Sequence, residues 1–393
     1  MIKIPNGFSF LAAKAGFRYT GRKDLGLILS SVPAASGGVF TTNRFQAAPV
    51  QVSREHMQTS PWARAILVNA GQANACTGED GLRICRTTCE LAAQAFGLRP
   101  EEVLPASTGV IGQRMDLSAW ERGMAGLIDQ GAKDDPLIVA QAMLTTDTFP
   151  KILWRTIGFK EGTVTLLGMA KGSGMICPQM ATMLGFVCCD ADIQPDIWQD
   201  MLGQAAEQSF NRISVDGDTS TNDCVLGLTN GGSGVRPQKE DLAHLGRELT
   251  GLCQELAYLI VQDAEGGTKV VRIRVDGAKD RAQAELAART IGHSPLVKTA
   301  MFGRDPNWGR IVAALGRCGA VFEPGQVRVR IAGREVFQGG TPVMADIDSL
   351  LAPYLARQEI PVHVSIGDGP GEYDFLTSDL SLDYVRINAE YRS

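Results

Sequence analysis

The stretch Lys171-Gly-Ser-Gly-Met-Ile-Cys-Pro-Gln-Met-Ala-Thr-Met-Leu184 brings together a lysine, a glycine-bracketed serine and a late threonine. Three chemistries could use such residues. Glycines beside a lysine suggest a phosphate cradle, although here the lysine precedes them and no GK[ST] ending follows. Ser173 could serve a Ser-His-Asp site, but none of the four histidines (His56, His244, His293, His363) lies in a neighbouring motif. Thr182 suits a third chemistry. A hydroxyl is a poor nucleophile until a base takes its proton, and an N-terminal threonine carries its own base, an α-amine titrating at about 8. An internal threonine gains that amine only when the bond before it breaks. Strain at a tight turn can drive Thr182 Oγ onto the Ala181 carbonyl to give an ester that water hydrolyses. Small Ala181 and flexible Gly172 and Gly174 permit the required backbone geometry. This route needs no histidine, metal or cofactor. On these residues alone all three readings stay open, because Ala-Thr ahead of a strand is a common pair.

The surrounding elements must hold this segment. Leu25–Ser30, Val50–Val52, Ala65–Asn69 and Thr163–Met169 read as strands. Met183–Cys189 is apolar without alternation, which predicts a strand buried on both faces. Leu82, Cys85, Cys89, Ala92 and Phe96 recur near 3.6 spacing and predict a helix over 80–96, closed by Gly97 with Pro100 beyond. Ile197, Met201, Leu202, Ala205, Ala206 and Phe210 predict a second helix. Leu242, Leu245, Leu249, Leu252, Leu256 and Leu259 form one apolar stripe, which predicts a core-facing helix rather than a subunit contact. Val270–Val275 and Val327–Ile331 alternate with period two, so each predicts a strand with one wet face. The expected architecture is layered α/β (α+β), with largely antiparallel sheets sandwiched by helices and a smaller C-terminal lobe. No internal repeat or low-complexity linker interrupts the chain.

Bulk properties exclude several functions. The 393 residues are 44% hydrophobic and 21% charged, an ordinary globular composition at a length that calls for two lobes. Net charge is -5 with dispersed basic residues, so no nucleic-acid footprint is expected. The N-terminal stretch is broken by Lys14 and does not resemble a secretory signal, and no apolar run is long enough to span a bilayer. Nine cysteines, an odd count without a CxxC pair, suggest free thiols in a reducing cytoplasm and no zinc site.

The Lys171–Leu184 segment resembles the cleavage and nucleophile segment of the ornithine acetyltransferase (glutamate N-acetyltransferase) family. Gly37–Arg44, Val68–Gly78, Pro105–Gly112, Phe210–Asp223, Asp305–Arg310 and Asp379–Ser393 resemble further blocks of that family, in order along nearly the whole chain. The resemblance implies the family's aminopeptidase-type fold and an autoprocessing acetyltransferase. Its Thr182 would be freed by cleavage after Ala181 and would carry the acetyl group. It implies that Thr108 and Gly109 stabilise the oxyanion, and that Thr148, Lys171, Glu265, Asn388 and Ser393 contact substrate alongside Thr182. N-acetylornithine would donate and glutamate accept the acetyl group in arginine biosynthesis. Some members also use acetyl-CoA, and the resemblance leaves that open here. No cofactor or metal is implied. Cleavage would give an α chain, 1–181, and a β chain, 182–393, with an α2β2 precedent. That cut is a processing boundary. The lobes are expected at roughly 1–270 (catalytic) and roughly 271–393. Two rivals follow from the same residues. One is a self-cleaving aminopeptidase or amidohydrolase, whose relatives usually carry serine at the nucleophile. The other is a non-catalytic amino-acid-binding homologue, which would stay uncut. Gln179 replaces the family's usual Asn, Ser378 a frequent Cys, and Cys188-Cys189 small polar residues.

Overall fold

The computed structural model describes residues 2–177, 183–343 and 346–390. Ala181, Thr182, Gln179 and Ser393 therefore lie outside the described residues. The chain divides into two compact units, residues 1–211 with 218–260, and residues 212–217 with 261–392.

The first unit is built on β1 (Phe8–Ala13), β2 (Leu25–Phe40), β3 (Trp62–Gln72), β4 (Val103–Val110), β5 (Lys151–Phe159), β6 (Gly162–Lys171) and β7 (Leu184–Cys189). After the short β8 (Ile213–Ser214), which belongs to the second unit, comes β9 (Cys224–Thr229). They form one sheet in the order β4-β3-β2-β9-β7-β6-β5, with β1 on β2. All pairings are antiparallel except β3–β4 and β7–β9. The key strand is β2. Its first half pairs with β1 and β3, a register shift follows between Leu29 and Ala34, and its second half pairs with β9. The sheet so turns back on itself. Ile28, Ile66, Val68 and Leu104 of one half share a core with Leu167, Met169, Leu184, Phe186 and Leu226 of the other. Alternate residues Leu25, Leu27, Ala65 and Leu67 face outward, against helices. This period of two is the strand's own geometry.

Helices α1 (Ala48–Thr59), α2 (Gly78–Phe96) and α3 (Leu117–Gln130) cover that outer face, through Val52, Cys85, Cys89, Trp120 and Leu127. Short α4 (Leu137–Ala142) contributes Val139 and Ala140 to the inner core. Helices α5 (Pro195–Glu207) and α6 (Lys239–Gln262) cover the other half of the sheet. Their close approach depends on glycines. A Cβ at Gly227 would lie 3.0 Å from Trp198 of α5, and one at Gly168 would lie 2.8 Å from Leu256 of α6. Leu245, Leu249, Leu252 and Leu256 are fully buried, so the leucine stripe is a core face. The layering is helix, sheet, sheet, helix, as the alternation and stripes implied.

Val50–Val52 departs from its expected strand and lies inside α1. Pro49 in the first turn has a φ suited to a helix, and Val52, Ser53 and His56 bury at helical spacing while Gln51 is exposed. Three residues are too few for a period of two to be distinguished from a helix face. The predicted helix over 80–96 begins two residues earlier, and Gly97 closes it in the left-handed region at φ 65°.

In the second unit, β10 (Val270–Gly277), β11 (Arg328–Ile331), β12 (Arg334–Gln338), β13 (Thr341–Pro342), β14 (Glu359–Ser365) and β15 (Gly369–Ser378) form a sheet with β8, ordered β13-β12-β11-β14-β10-β15-β8. Its helices are α7 (Arg281–Gly292), α8 (Pro295–Phe302), α9 (Trp308–Gly316), α10 (Ile347–Leu355) and α11 (Leu382–Glu390). Val271, Ile273 and Val275 enter the core while Arg272 and Arg274 face water, the alternation expected of β10. Asn307 of the Asp305–Arg310 block caps α9 by accepting from Arg310 N, which makes that block structural. No helix among the described residues is long and apolar enough to cross a membrane.

Truncating Leu252→Ala should remove the contact that seats α6 over Gly168 and cost about 3 kcal/mol. Urea unfolding followed by circular dichroism would read this as a lower midpoint, and an unchanged midpoint would refute the packing assigned to the stripe.

Candidate active site

Period two directs the inner-core residues of β4 and β6 to one face, and Thr108 and Lys171 extend those two rows at the strand ends. Lys171 is buried rather than a solvated loop residue. Its Nζ donates to Thr145 Oγ1 at 2.8 Å, lies 3.5 Å from Thr108 Oγ1 and is 3.7 Å from Asp147 Oδ2. Asp147 is fully buried and accepts from Lys151 Nζ at 2.8 Å, from Gly172 N at 2.6 Å and from Thr145 N at 3.1 Å. Burial alone would raise its pKa. The two lysine ammoniums and the Gly172 amide outweigh that effect and hold the carboxyl well below the usual carboxylate range. One anion thus balances two buried cations and fixes the loop 144–150 to the ends of β5 and β6.

Gly109 follows Thr108 in parallel register with Gly71 of β3. Its φ is 133°, and a Cβ there would lie 2.2 Å from the Gly71 carbonyl carbon, so only glycine fits. The strand end leaves the Thr108 hydroxyl beside a backbone that no side chain can crowd, an arrangement suited to donating toward a developing oxyanion. Met175 takes φ 55° near the expected turn, a left-handed conformation costing a non-glycine residue about 1 kcal/mol.

Family-like blocks from distant parts of the first unit interlock at this end. Asn222 Nδ2 donates to Ala73 O at 2.6 Å and Ser107 O at 2.9 Å, tying the segment after residue 218 to β4 and to the residue that follows β3. Thr41 Oγ1 donates to Ser220 O at 2.8 Å, Asn43 Nδ2 to Thr219 O at 2.9 Å, and Thr219 Oγ1 to Cys177 O at 3.2 Å. Asp223 is buried, and burial pushes its pKa up despite nearby Lys171 and the Met183 and Ser220 N–H groups.

Of the residues named from sequence, Thr108, Gly109 and Lys171 come together in the first unit. Thr148 is exposed in the adjoining loop, whereas Thr145 and Asp147 of the same loop make the contacts to Lys171. Glu265 and Asn388 meet within the second unit, where Asn388 Nδ2 donates to Glu265 Oε2 at 2.9 Å. There, Tyr384 N donates to Ser381 Oγ, which itself donates to Gly266 O at 2.6 Å, securing α11. Sequence reasoning missed Thr145, Asp147, Asn222 and Asp223. The i,i+4 spacing of Asp147 and Lys151 in Thr-Thr-Asp-Thr-Phe-Pro-Lys was the available signal for one of them.

The family model described as the ArgJ family matches residues 9–393. The chain belongs to the ArgJ family. The "Arginine biosynthesis bifunctional protein ArgJ" of Nitratidesulfovibrio vulgaris is 53% identical over 100% of both chains. The protein of the same name from a Synechococcus species is 44% identical over 99% of this chain and 97% of its own. Among solved structures, an ArgJ chain from Bacillus halodurans is 35% identical with a TM-score of 0.50, covering 52% of this chain and 98% of that chain. ArgJ membership accounts for the order and spacing of the sequence blocks, and the interlocking described above shows what several of them build.

Asp147→Asn should strand two buried ammonium groups and destabilise by about 3–5 kcal/mol at pH 7. The depressed pKa of Asp147 contributes stability that is present above the unfolded-chain value of about 4 and lost as pH falls from there toward the folded value. The gap between wild-type and variant urea midpoints should therefore be wide at pH 7 and narrower at pH 3. A gap independent of pH would contradict the ion group.

Proposed function

We propose that this ArgJ-family chain is an autoprocessing acetyltransferase that moves an acetyl group from N-acetylornithine to glutamate by way of an acetyl ester on Thr182. The observation that carries the reading is the approach of buried Lys171 to Thr108, next to glycine-only Gly109, at the described end of the strand that leads into Lys171–Leu184. Cleavage after Ala181 frees the Thr182 amine, which takes the Oγ proton as Oγ attacks the acetyl carbonyl. Thr108 Oγ and the Gly109 N–H donate to the oxyanion, ornithine departs with the proton returned to its amine, and glutamate's amine then takes the acetyl group. Lys171 is suited to a substrate carboxylate, because its ammonium has a hydroxyl partner and a shared anion rather than a dedicated one. Thr148, Glu265, Asn388 and Ser393 keep the substrate contacts that the family resemblance gives them. The chemistry calls for no cofactor or metal. The product chains, 1–181 and 182–393, would assemble as α2β2 in the cytoplasm. Direct use of acetyl-CoA is the second activity to assay, since the full-length relatives are named bifunctional.

Intact-mass measurement of the denatured protein should give two fragments joining at Ala181-Thr182, and one chain in Thr182→Ala. An uncut, folded 42.1 kDa wild-type chain would instead favour a binding protein. Acetate released at the same rate with and without glutamate would favour the hydrolase reading. Thr108→Val should lower kcat by about 10²-fold, the usual cost of one oxyanion donor, with cleavage products and fold retained for comparison.

A further inference from the structure

The loop between β1 and β2, residues 14–24, lies against the candidate site at two points. Asp24 builds this loop. Its carboxylate accepts from Ala15 N at 2.7 Å and from Phe17 N at 2.8 Å, and Phe17 packs on Trp120 with ring centroids 4.9 Å apart. A backbone held by one buried anion and one buried ring presents its remaining side chains in fixed places. At the first point Arg18 leans on β3. A Cβ at Gly71 would lie 2.9 Å from Arg18 Cβ, and Gly71 is the glycine that pairs with Gly109. At the second, Arg22 Nη2 donates to the carbonyl of Leu144, the residue just before the Thr145 that accepts from Lys171. The Arg22 guanidinium is half-buried, and its Cζ sits 3.8 Å from the centroid of the Tyr19 ring. An aromatic face and one carbonyl orient it. Among the described residues it pairs with no Asp or Glu, and residues 178–182 contain no carboxylate. A guanidinium held in this way keeps donors for a planar anion.

Charge and spacing then agree. Lys151, Lys171 and Arg22 bring three cations to the loop 144–150, and Asp147 offsets one of them. Glutamate carries two carboxylates where N-acetylornithine carries one. Leu144 O and Thr145 Oγ1 belong to consecutive residues and are at most about 5 Å apart. A hydrogen bond of about 3 Å on each side keeps Arg22 Nη2 and Lys171 Nζ within about 11 Å of one another. The two carboxyl carbons of extended glutamate are about 5 Å apart, and each lies about 3.5 Å from a nitrogen that binds it. One glutamate therefore fits between the two cations. We infer that Arg22 selects the acceptor, binding the side-chain carboxylate of glutamate while Lys171 holds the α-carboxylate. The inference rests on the transfer proposed above and adds to it a reason for the acceptor's identity. Ornithine ends in an ammonium and gains nothing from Arg22, so the guanidinium serves the second half of the reaction and not the first. Glutamine, equal in length but uncharged at its end, is the acceptor that Arg22 disfavours.

The test is Arg22→Gln in the full chain, which leaves an amide able to donate to Leu144 O but removes the charge. Exchange of labelled ornithine into N-acetylornithine, run without glutamate, reports the donor half alone and should stay within about twofold of wild type. With glutamate as acceptor, kcat/KM should fall on the order of 10²-fold, chiefly through KM, because a charge-assisted contact is lost. Glutamine should serve no worse than it does with the wild type, so the preference for glutamate over glutamine collapses. Arg22→Lys keeps the charge without the planar fork. It should retain part of that preference with a raised KM for glutamate and unchanged exchange, and it carries the same test if Arg22→Gln does not fold. An undiminished preference for glutamate in Arg22→Gln overturns the inference. So does an equal fall in exchange and in transfer, which a merely structural hold on Leu144 would produce. A wild-type protein that neither exchanges ornithine nor makes acetylglutamate would instead defeat the underlying reading, and the inference with it.

Discussion

Two lysines and one aspartate share a site from which water is excluded at the end of the doubled sheet. Neither Lys151 nor Lys171 could be kept charged in that place without Asp147, and Asp147 could not stay ionised without both. The trio draws together the start of β5, the end of β6 and the loop between α4 and β5. It therefore sets where the Lys171 ammonium points, and with it the distance to Thr108 on a strand five places away in the sheet order. Everything at the candidate site is measured from that fixed charge.

The second constraint is the bend in β2. By pairing with β3 along its first half and β9 along its second, one strand turns a single sheet into two facing layers. The inner faces fill with Ile28, Leu104, Leu167 and Phe186, and the same alternation that buries them carries Thr108 and Lys171 to the open end of the sandwich. Glycines at 168 and 227 let α6 and α5 lie against the second layer. Asn222 then closes the end by donating to the backbone of β4 and of Ala73, just past β3, so the block after residue 218 is a clasp made of side-chain amides and hydroxyls.

The departures from the family pattern have local physical readings. Cys188 and Cys189 lie in β7, where every residue is buried, and burial pushes both thiols up, that of Cys189 to about 12. They act as small apolar side chains in that strand. Ser378 accepts from Lys298 Nζ at 3.2 Å through its hydroxyl, and burial pulls that lysine down to about 7. A hydroxyl in that place gives the buried ammonium an acceptor that a thiol would supply more weakly.

Much of this protein was legible in its sequence for one reason: period and stripe are properties of single elements. The helix at 80–96, the leucine stripe of α6, the all-apolar β7 and the alternation of β10 follow from spacing alone, because each side chain's face is set by local geometry. Ordered blocks such as Pro105–Gly112 and Phe210–Asp223 likewise pointed to the family, and through it to Thr108, Gly109 and Lys171. What spacing could not decide was partnership. Val50–Val52 became a helix because its neighbours bury Val52 and His56 together. Thr145 and Asp147, rather than exposed Thr148, meet Lys171 because the loop is pinned by charges that come from two different strands. Asp223, one carboxylate among many in the sequence, is set apart by its burial just ahead of β9, with the Met183 and Ser220 N–H groups facing its carboxylate. Such facts depend on which groups share a dry space, and only the folded chain determines that.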